Sequence, residues 1–166
     1  MLKEHAKIMA LLQKAKEVVG RKKLQKIVYI SQKYDFDFQE RFNFHFYGPY
    51  SEELSLQIEE LVAGGLVQEI KENKGGYTQY TYRLSEQGET YLKLYPVELS
   101  GYDAFVQALN QESSRFLELV STMLYFDKLP REELIEKIQK VKSKQNYSPE
   151  EIRRAEKYIV QLRCKR

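Results

Sequence analysis

The chain of 166 residues has no tryptophan, one cysteine, two histidines and four prolines, and each scarcity excludes something. Cys164 has no second cysteine to pair with, so neither a disulfide nor a thiolate metal site is available, and a reducing compartment suits the chain. His5 and His45 lack Cys, Asp or Glu at metal-ligand spacing, which makes them surface or partner-satisfied side chains rather than ligands. No apolar run reaches the roughly 18 residues of a membrane span. The opening MLKEHAK has mixed charge and no small-residue cleavage site, so a cytoplasmic protein with no membrane association is expected. An excess of one charge is missing too: 14 basic and 13 acidic residues precede Pro96, and 13 and 11 follow it. Neither half is a basic arm. The net charge of +3 therefore says little about nucleic acid, for which clustering on one face is what matters.

What the chain does have is helical periodicity. Residues 2–19 place Ile8, Leu11, Leu12, Ala15, Val18 and Val19 on one stripe, which predicts a first helix stopped by Gly20. A second helix from about Arg21 to Tyr34 repeats the pattern with Leu24, Ile27 and Val28. Its other face carries Arg21, Lys22, Lys23, Lys26 and Lys33. Phe42, Phe44 and Phe46 then alternate with polar residues in the two-residue period of a half-buried strand ending at Gly48-Pro49. Pro49 biases Gly48 away from helix, so the chain turns there. Ser51 is placed to cap a third helix whose buried stripe is Leu54, Ile58, Leu61 and Val62, with Glu52 and Glu53 near its positive end.

That helix closes at Gly64-Gly65, and a hairpin follows. Leu66 and Ile70 lie on one side of its first strand, Asn73-Lys74-Gly75-Gly76 makes the turn, and Tyr80, Tyr82 and Leu84 lie on one side of its second. Ser85 starts a short helix to about Leu94, with Gly88 inside it, and Pro96 marks a seam. Beyond it, helices are predicted over 102–109, over 112–127 with burial on more than one side, from Pro130 to about Ser143, and from Ser148-Pro149 with Glu151 completing a capping box. The expected fold is α+β: a winged-helix-like domain over 1–95 with a β-hairpin wing, and a C-terminal helical bundle over 96–166 packed on it.

Chemistry-bearing constellations are few. The acidic pairs Asp35 and Asp37, Glu52 and Glu53, and Glu59 and Glu60 fit turns, helix starts and solvated faces, and the paired glycines fit a helix end and a hairpin tip rather than a phosphate cradle. No catalytic residue, metal or cofactor is expected. The basic face of the second helix is the main electrostatic feature, able to meet phosphate, acidic protein or solvent. In a winged helix the third helix reads DNA, yet here it carries Glu52, Glu53, Glu59 and Glu60 and no Lys or Arg. Each carboxylate brought near a phosphate costs on the order of 1 kcal/mol at water-like screening. Nucleic acid is thereby disfavoured as the partner and protein preferred.

KLQKIVYISQKY (23–34) followed by FHFYGPYSEEL (44–54) resembles the bacterial YwgA-type family, described as phage-associated, over most of the chain. More distantly, residues 20–70 resemble the antitoxin-like Panacea domain, with its KLQKLxY helix and aromatic segment ending in YGP. Panacea-type segments have Trp shortly before YGP, where Phe44-His45-Phe46 stands here. The resemblance implies a non-enzymatic role, neutralising or recruiting a partner protein, and marks Leu24, Lys26, Tyr29, Tyr47, Gly48 and Pro49 as motif positions. The expected function is a protein-interaction or regulatory module, antitoxin- or adaptor-like, that engages its partner through Arg21, Lys22, Lys23, Lys26 and the Tyr47-Gly48-Pro49-Tyr50 turn. The alternative is a DNA-binding transcriptional regulator, a homodimer through its C-terminal helices, that touches phosphates with the same cations and with Lys71 and Lys74 of the wing.

Overall fold

Amphipathic spacing produces α1 (Lys3–Ala15), and the β-branched pair that follows it makes the short β1 (Val18–Val19). Then come α2 (Arg21–Lys33), a hairpin of β2 (Asn43–His45) and β3 (Gly48–Tyr50), α3 (Glu52–Ala63), and a longer hairpin of β4 (Val67–Asn73) and β5 (Thr78–Leu84). The remainder is helical: α4 (Glu86–Leu94), α5 (Tyr102–Asn110), α6 (Ser114–Tyr125), α7 (Arg131–Val141) and α8 (Pro149–Lys165). These elements come from a computed structural model that describes residues 3–165; Leu2, placed at the start of the first predicted helix, lies outside them. The class is mixed α+β, with a three-stranded antiparallel sheet in the order β1-β5-β4 and a separate two-stranded β2-β3 sheet. Among the described residues no helix is long and apolar enough to cross a membrane.

Two sequence expectations are corrected. The first helix does not run to Val19. It ends at Ala15, Lys16 takes a left-handed φ of 75°, and Val18 and Val19 pair with Tyr82 and Thr81 of β5. A stiff β-branched pair gains more from the open edge of β5, with Val18 fully buried, than from another helical turn. Gly20, with φ 111°, then redirects the chain into α2, its N–H donating to the Tyr80 carbonyl at 2.7 Å. The second correction concerns the phenylalanine strand. It does not end at Gly48-Pro49 but folds back through a Phe46-Tyr47 turn, so Gly48 and Pro49 belong to a strand that faces His45 and Phe44. Phe42 packs edge-on to Tyr29 at 5.1 Å, and Phe44 lies 5.3 Å and 5.2 Å from the rings of Tyr125 and Phe126. Phe46, taken by period for the same buried side, is 62% exposed because it sits in the turn.

Helix starts follow their caps. Ser51 Oγ accepts from the Leu54 N–H at 3.0 Å. Ser148 and Glu151 exchange the reciprocal bonds of a capping box, at 3.0 Å and 3.1 Å. One apolar cluster joins residues from both sides of Pro96, from Ile8, Leu24 and Leu54 to Phe105, Leu119 and Ile152. α2 is its axis: every residue from Leu24 to Ser31 is buried, and Ser31 Oγ meets the Tyr102 hydroxyl at 2.7 Å inside the core.

Gly88 marks a tight approach in this core. A Cβ there would stand 2.3 Å from the Leu66 carbonyl oxygen and 2.5 Å from Leu84 Cδ1, closer than atoms pack. Gly88→Ala is expected to lower stability by about 2 kcal/mol in urea unfolding, against the gain of about 1 kcal/mol that alanine normally gives a helix interior.

The segment between α2 and β2 carries a second strained feature. Glu40 is buried, and neither carboxyl oxygen finds a partner in another residue. Burial pushes its carboxyl up to about 7, and the charges of Glu4 and Glu53 add to the effect. The unfolded chain gives up this proton near the ordinary carboxylate range and the folded chain holds it to about 7, so the contribution to stability is complete at low pH and is lost as pH rises through that window. Glu40→Met is expected to be more stable than the wild type at pH 8, by on the order of 2–3 kcal/mol, with the difference shrinking toward pH 4.5 in parallel urea titrations.

Candidate functional site

The β2-β3 turn is held from below by two buried ammonium groups. Lys26, in the middle of α2 and 1% exposed, donates to the Pro49 carbonyl at 2.8 Å. Lys142, just past the end of α7, donates to the Phe46 carbonyl at 2.8 Å. Between them Glu118 of α6 accepts from Lys142 Nζ and from Gln145 Nε2, each at 3.1 Å. Gly48 makes this possible. With φ 87°, its backbone passes where a Cβ would lie 3.4 Å from Thr122 Oγ1, 3.5 Å from Glu118 Cγ and 3.6 Å from Lys26 Cε. Burial lowers the Lys26 ammonium to about 8; Glu118 opposes that shift, and the charges of Lys142 and Lys22 reinforce it.

Next to the turn, Gln25 reads the main chain of Ser51 with both ends of its amide. Its Nε2 donates to the Ser51 carbonyl and its Oε1 accepts from the Ser51 N–H, both at 2.9 Å. Gln25 Nε2 also reaches Ser55 Oγ at 3.0 Å, which meets the Tyr50 hydroxyl at 2.8 Å. The start of α3 is thereby fixed to α2, and both are fixed to the turn.

Above this base the turn exposes two rings. Phe46 and Tyr47 stand edge to face at 5.0 Å, with Lys22 Nζ 3.5 Å over the Tyr47 ring and Lys144 Nζ 5.3 Å over that of Phe46. Beside Tyr47 opens a cleft of about 180 Å³ between α2, α3 and the β4-β5 hairpin. Tyr47, Tyr50, Tyr82 and Ile58 give its apolar walls, and Arg21, Lys22, Glu59 and Glu69 its charged lining. The Arg21 guanidinium lies 3.7 Å over the Tyr80 ring, donates to the Tyr82 hydroxyl at 3.1 Å and stands 3.7 Å from Glu69, so its charge is largely committed. Among the described residues Lys22, Lys144 and Glu59 form no ion pair.

Five of the eight residues predicted to bind a partner line this cleft: Arg21, Lys22, Lys26, Tyr47 and Tyr50. Gly48 and Pro49 are buried beneath it as supports. The continuous basic face of α2 is not there. Lys26 points into the core because α2 is enclosed along its middle, Lys23 turns to the Asn110 carbonyl at 2.5 Å, and Lys33 pairs with Asp127 at 3.2 Å. Lys71 and Lys74 sit on the β4-β5 hairpin outside the cleft, Lys74 within 3.5 Å of Glu72. On α3, Glu52, Glu53, Glu59 and Glu60 are all exposed. Glu53 accepts from the Arg41 N–H and Glu60 lies 3.0 Å from His5 Nε2, and no described Lys or Arg forms an ion pair with any of the four.

Sequence reasoning missed Gln25, Glu118 and Lys142. Gln25 stands inside the KLQK string and could have been noticed there. Glu118 and Lys142 carry no local signal, because they act across 70 and 96 residues of chain, from Gly48 and from Phe46 respectively.

No family model matches the chain. Among curated proteins it is similar to the uncharacterized protein YwgA of Bacillus subtilis (strain 168), 52% identical over 163 residues that cover 98% of each chain.

The buried cluster makes a direct prediction. Glu118→Gln leaves two ammonium groups in the core without a carboxylate, and a loss of about 3 kcal/mol is expected at pH 7. Above pH 8 the folded wild-type chain releases the Lys26 proton while the unfolded chain keeps it up to the ordinary lysine range, so the Lys26 contribution to stability rises with pH there. The variant lacks the carboxylate that favours the Lys26 charge, releases that proton at lower pH and gains more, so its deficit should narrow toward pH 10 in denaturant titrations.

Proposed function

The chain belongs to the YwgA family, and we propose that it is a non-enzymatic, cytoplasmic protein-interaction module, adaptor- or antitoxin-like in role, that docks a partner protein on the Phe46-Tyr47 turn and the cleft beside it. The observation that carries this reading is an exposed aromatic turn anchored from within the core. Two lysines, each donating to a carbonyl of the hairpin, hold Tyr47 at the surface from inside the core. Fixing a large ring before the encounter removes part of the ordering cost of binding, and rings in such positions dominate interface energetics.

The first half of the chain is winged-helix-like in this proposal. In support, α1, β1, α2, α3 and the β4-β5 hairpin follow one another in that fold's order, and the sheet runs β1-β5-β4. The element that would enter a DNA groove is α3, and its four exposed glutamates oppose a polyanion. The same frame used as a protein-binding surface has no such conflict. The side chains exposed at the turn are rings with ammonium groups over them, suited to contact with a partner.

The test is capture from the native host with the tagged full chain, identification of the partner, and titration of the purified pair. A 1:1 complex is expected that weakens at least about tenfold in Tyr47→Ala and is unchanged in Lys71→Ala. Duplex DNA titrated at several salt concentrations is expected to bind weakly throughout; tight binding of one operator at physiological salt would overturn the reading.

A further inference from the structure

The cleft beside Tyr47 has a size and a charge order that specify what enters it. At about 180 Å³ it exceeds the roughly 150 Å³ cavity that holds a benzene molecule, so one aromatic side chain fits between Tyr47, Tyr50, Tyr82 and Ile58. Its charged lining carries both signs on different elements: Lys22 on α2 and Glu59 on α3 both lack an ion partner within the described chain, while Arg21 and Glu69 already answer one another at 3.7 Å. Lys144, over the next ring of the turn, adds a further cation.

We propose that this cleft takes a short peptide segment of the partner protein in which an aromatic side chain fills the space between the tyrosines and adjacent acidic residues pair with Lys22 and Lys144. The proposal rests on the docking reading above and adds the chemistry of the docked segment. Charge complementarity selects acidic peptide over the other ligand that interleaved rings and lysines could attract, a single-stranded nucleic acid. A base could stack in the same space, but its backbone would run past Glu59 and Glu69, and carboxylates beside phosphates are repulsive. A peptide avoids this because its charges can be confined to one side of the anchor. The amphipathic position of Lys22 adds to the match: the Tyr47 ring orders its ammonium 3.5 Å away without neutralising it, leaving the charge available to a carboxylate.

The experiment is a titration of the isotope-labelled full chain followed by amide chemical shifts, with four probes: a synthetic peptide with one tyrosine preceded by two glutamates and followed by glycines; the same peptide with alanine for tyrosine; the same with lysines for the glutamates; and an oligouridine of similar length. Only the first is expected to bind, with shifts confined to the cleft and the turn: Lys22, Tyr47, Tyr50, Ile58, Glu59, Tyr82 and Lys144. Its affinity is expected to fall about tenfold in Lys22→Glu and in Tyr47→Ala, both exposed positions whose variants are checked for folding by thermal unfolding. Equal binding of the alanine peptide, binding of the lysine peptide, or preferential binding of oligouridine would each overturn the proposal. If none of the peptides binds while the captured partner still depends on Tyr47, the acidic aromatic segment is wrong and the docking surface stands. A captured partner indifferent to Tyr47 removes both.

Discussion

A lysine ammonium buried at the centre of a helix, donating to the carbonyl of Pro49, is the constraint around which this protein is arranged. A lone buried cation is expensive, and the fold offsets it in three ways: a carbonyl acceptor, the Glu118 carboxylate, and enough polar neighbours to complete a network with Lys142 and Gln145. The network carries two ammonium groups to one carboxylate. Burial is the main reason that Lys26 gives up its proton more easily than a solvated lysine does, and the charge of Lys142 adds to it. Gly48 cannot be replaced without loss, since the turn takes a φ of 87° there, which side chains rarely adopt, and a Cβ would stand against both α2 and α6.

The same network ties the two halves of the chain together. Lys26 belongs to α2, Glu118 to α6 and Lys142 to the end of α7, and all three meet at a hairpin only 3 residues long in each strand. The apolar core is likewise continuous across Pro96, with Phe36 at 4.6 Å and 4.8 Å from the rings of Tyr102 and Phe105. The position of the exposed Phe46 and Tyr47 rings is thus set jointly by residues nearly a hundred positions apart, and a change in how α7 packs would be felt at the turn.

On the surface, polarity is laid out with the opposite sign to that of a DNA reader. Glu59 of the acidic face of α3 lines the cleft, and Lys22 and Lys144, which form no ion pair among the described residues, stand over the rings of the aromatic turn. This chain thereby presents a ring-lined surface with charges of both signs, which supports the proposal of a partner protein recognised by an anchor side chain and neighbouring charge.

Local physics made much of this legible in the sequence. Ser51 and the Ser148-Glu151 pair fixed helix starts because a cap acts over three residues, and the spacing of Leu54, Ile58 and Leu61 placed the buried side of α3 because helical period is local. The exposure of the glutamates on α3 and the gathering of Arg21, Lys22, Tyr47 and Tyr50 also followed the sequence reading. What it could not decide was which polar residue goes inside. Lys26 reads as part of a basic face until α6 and the hairpin close over it, and Val18 and Val19 read as helix until β5 offers an edge. Those choices depend on partners 23 to 64 residues away, Pro49 for Lys26 and Tyr82 for Val18, and only the folded chain brings them within the reach at which a hydrogen bond outweighs the loss of water.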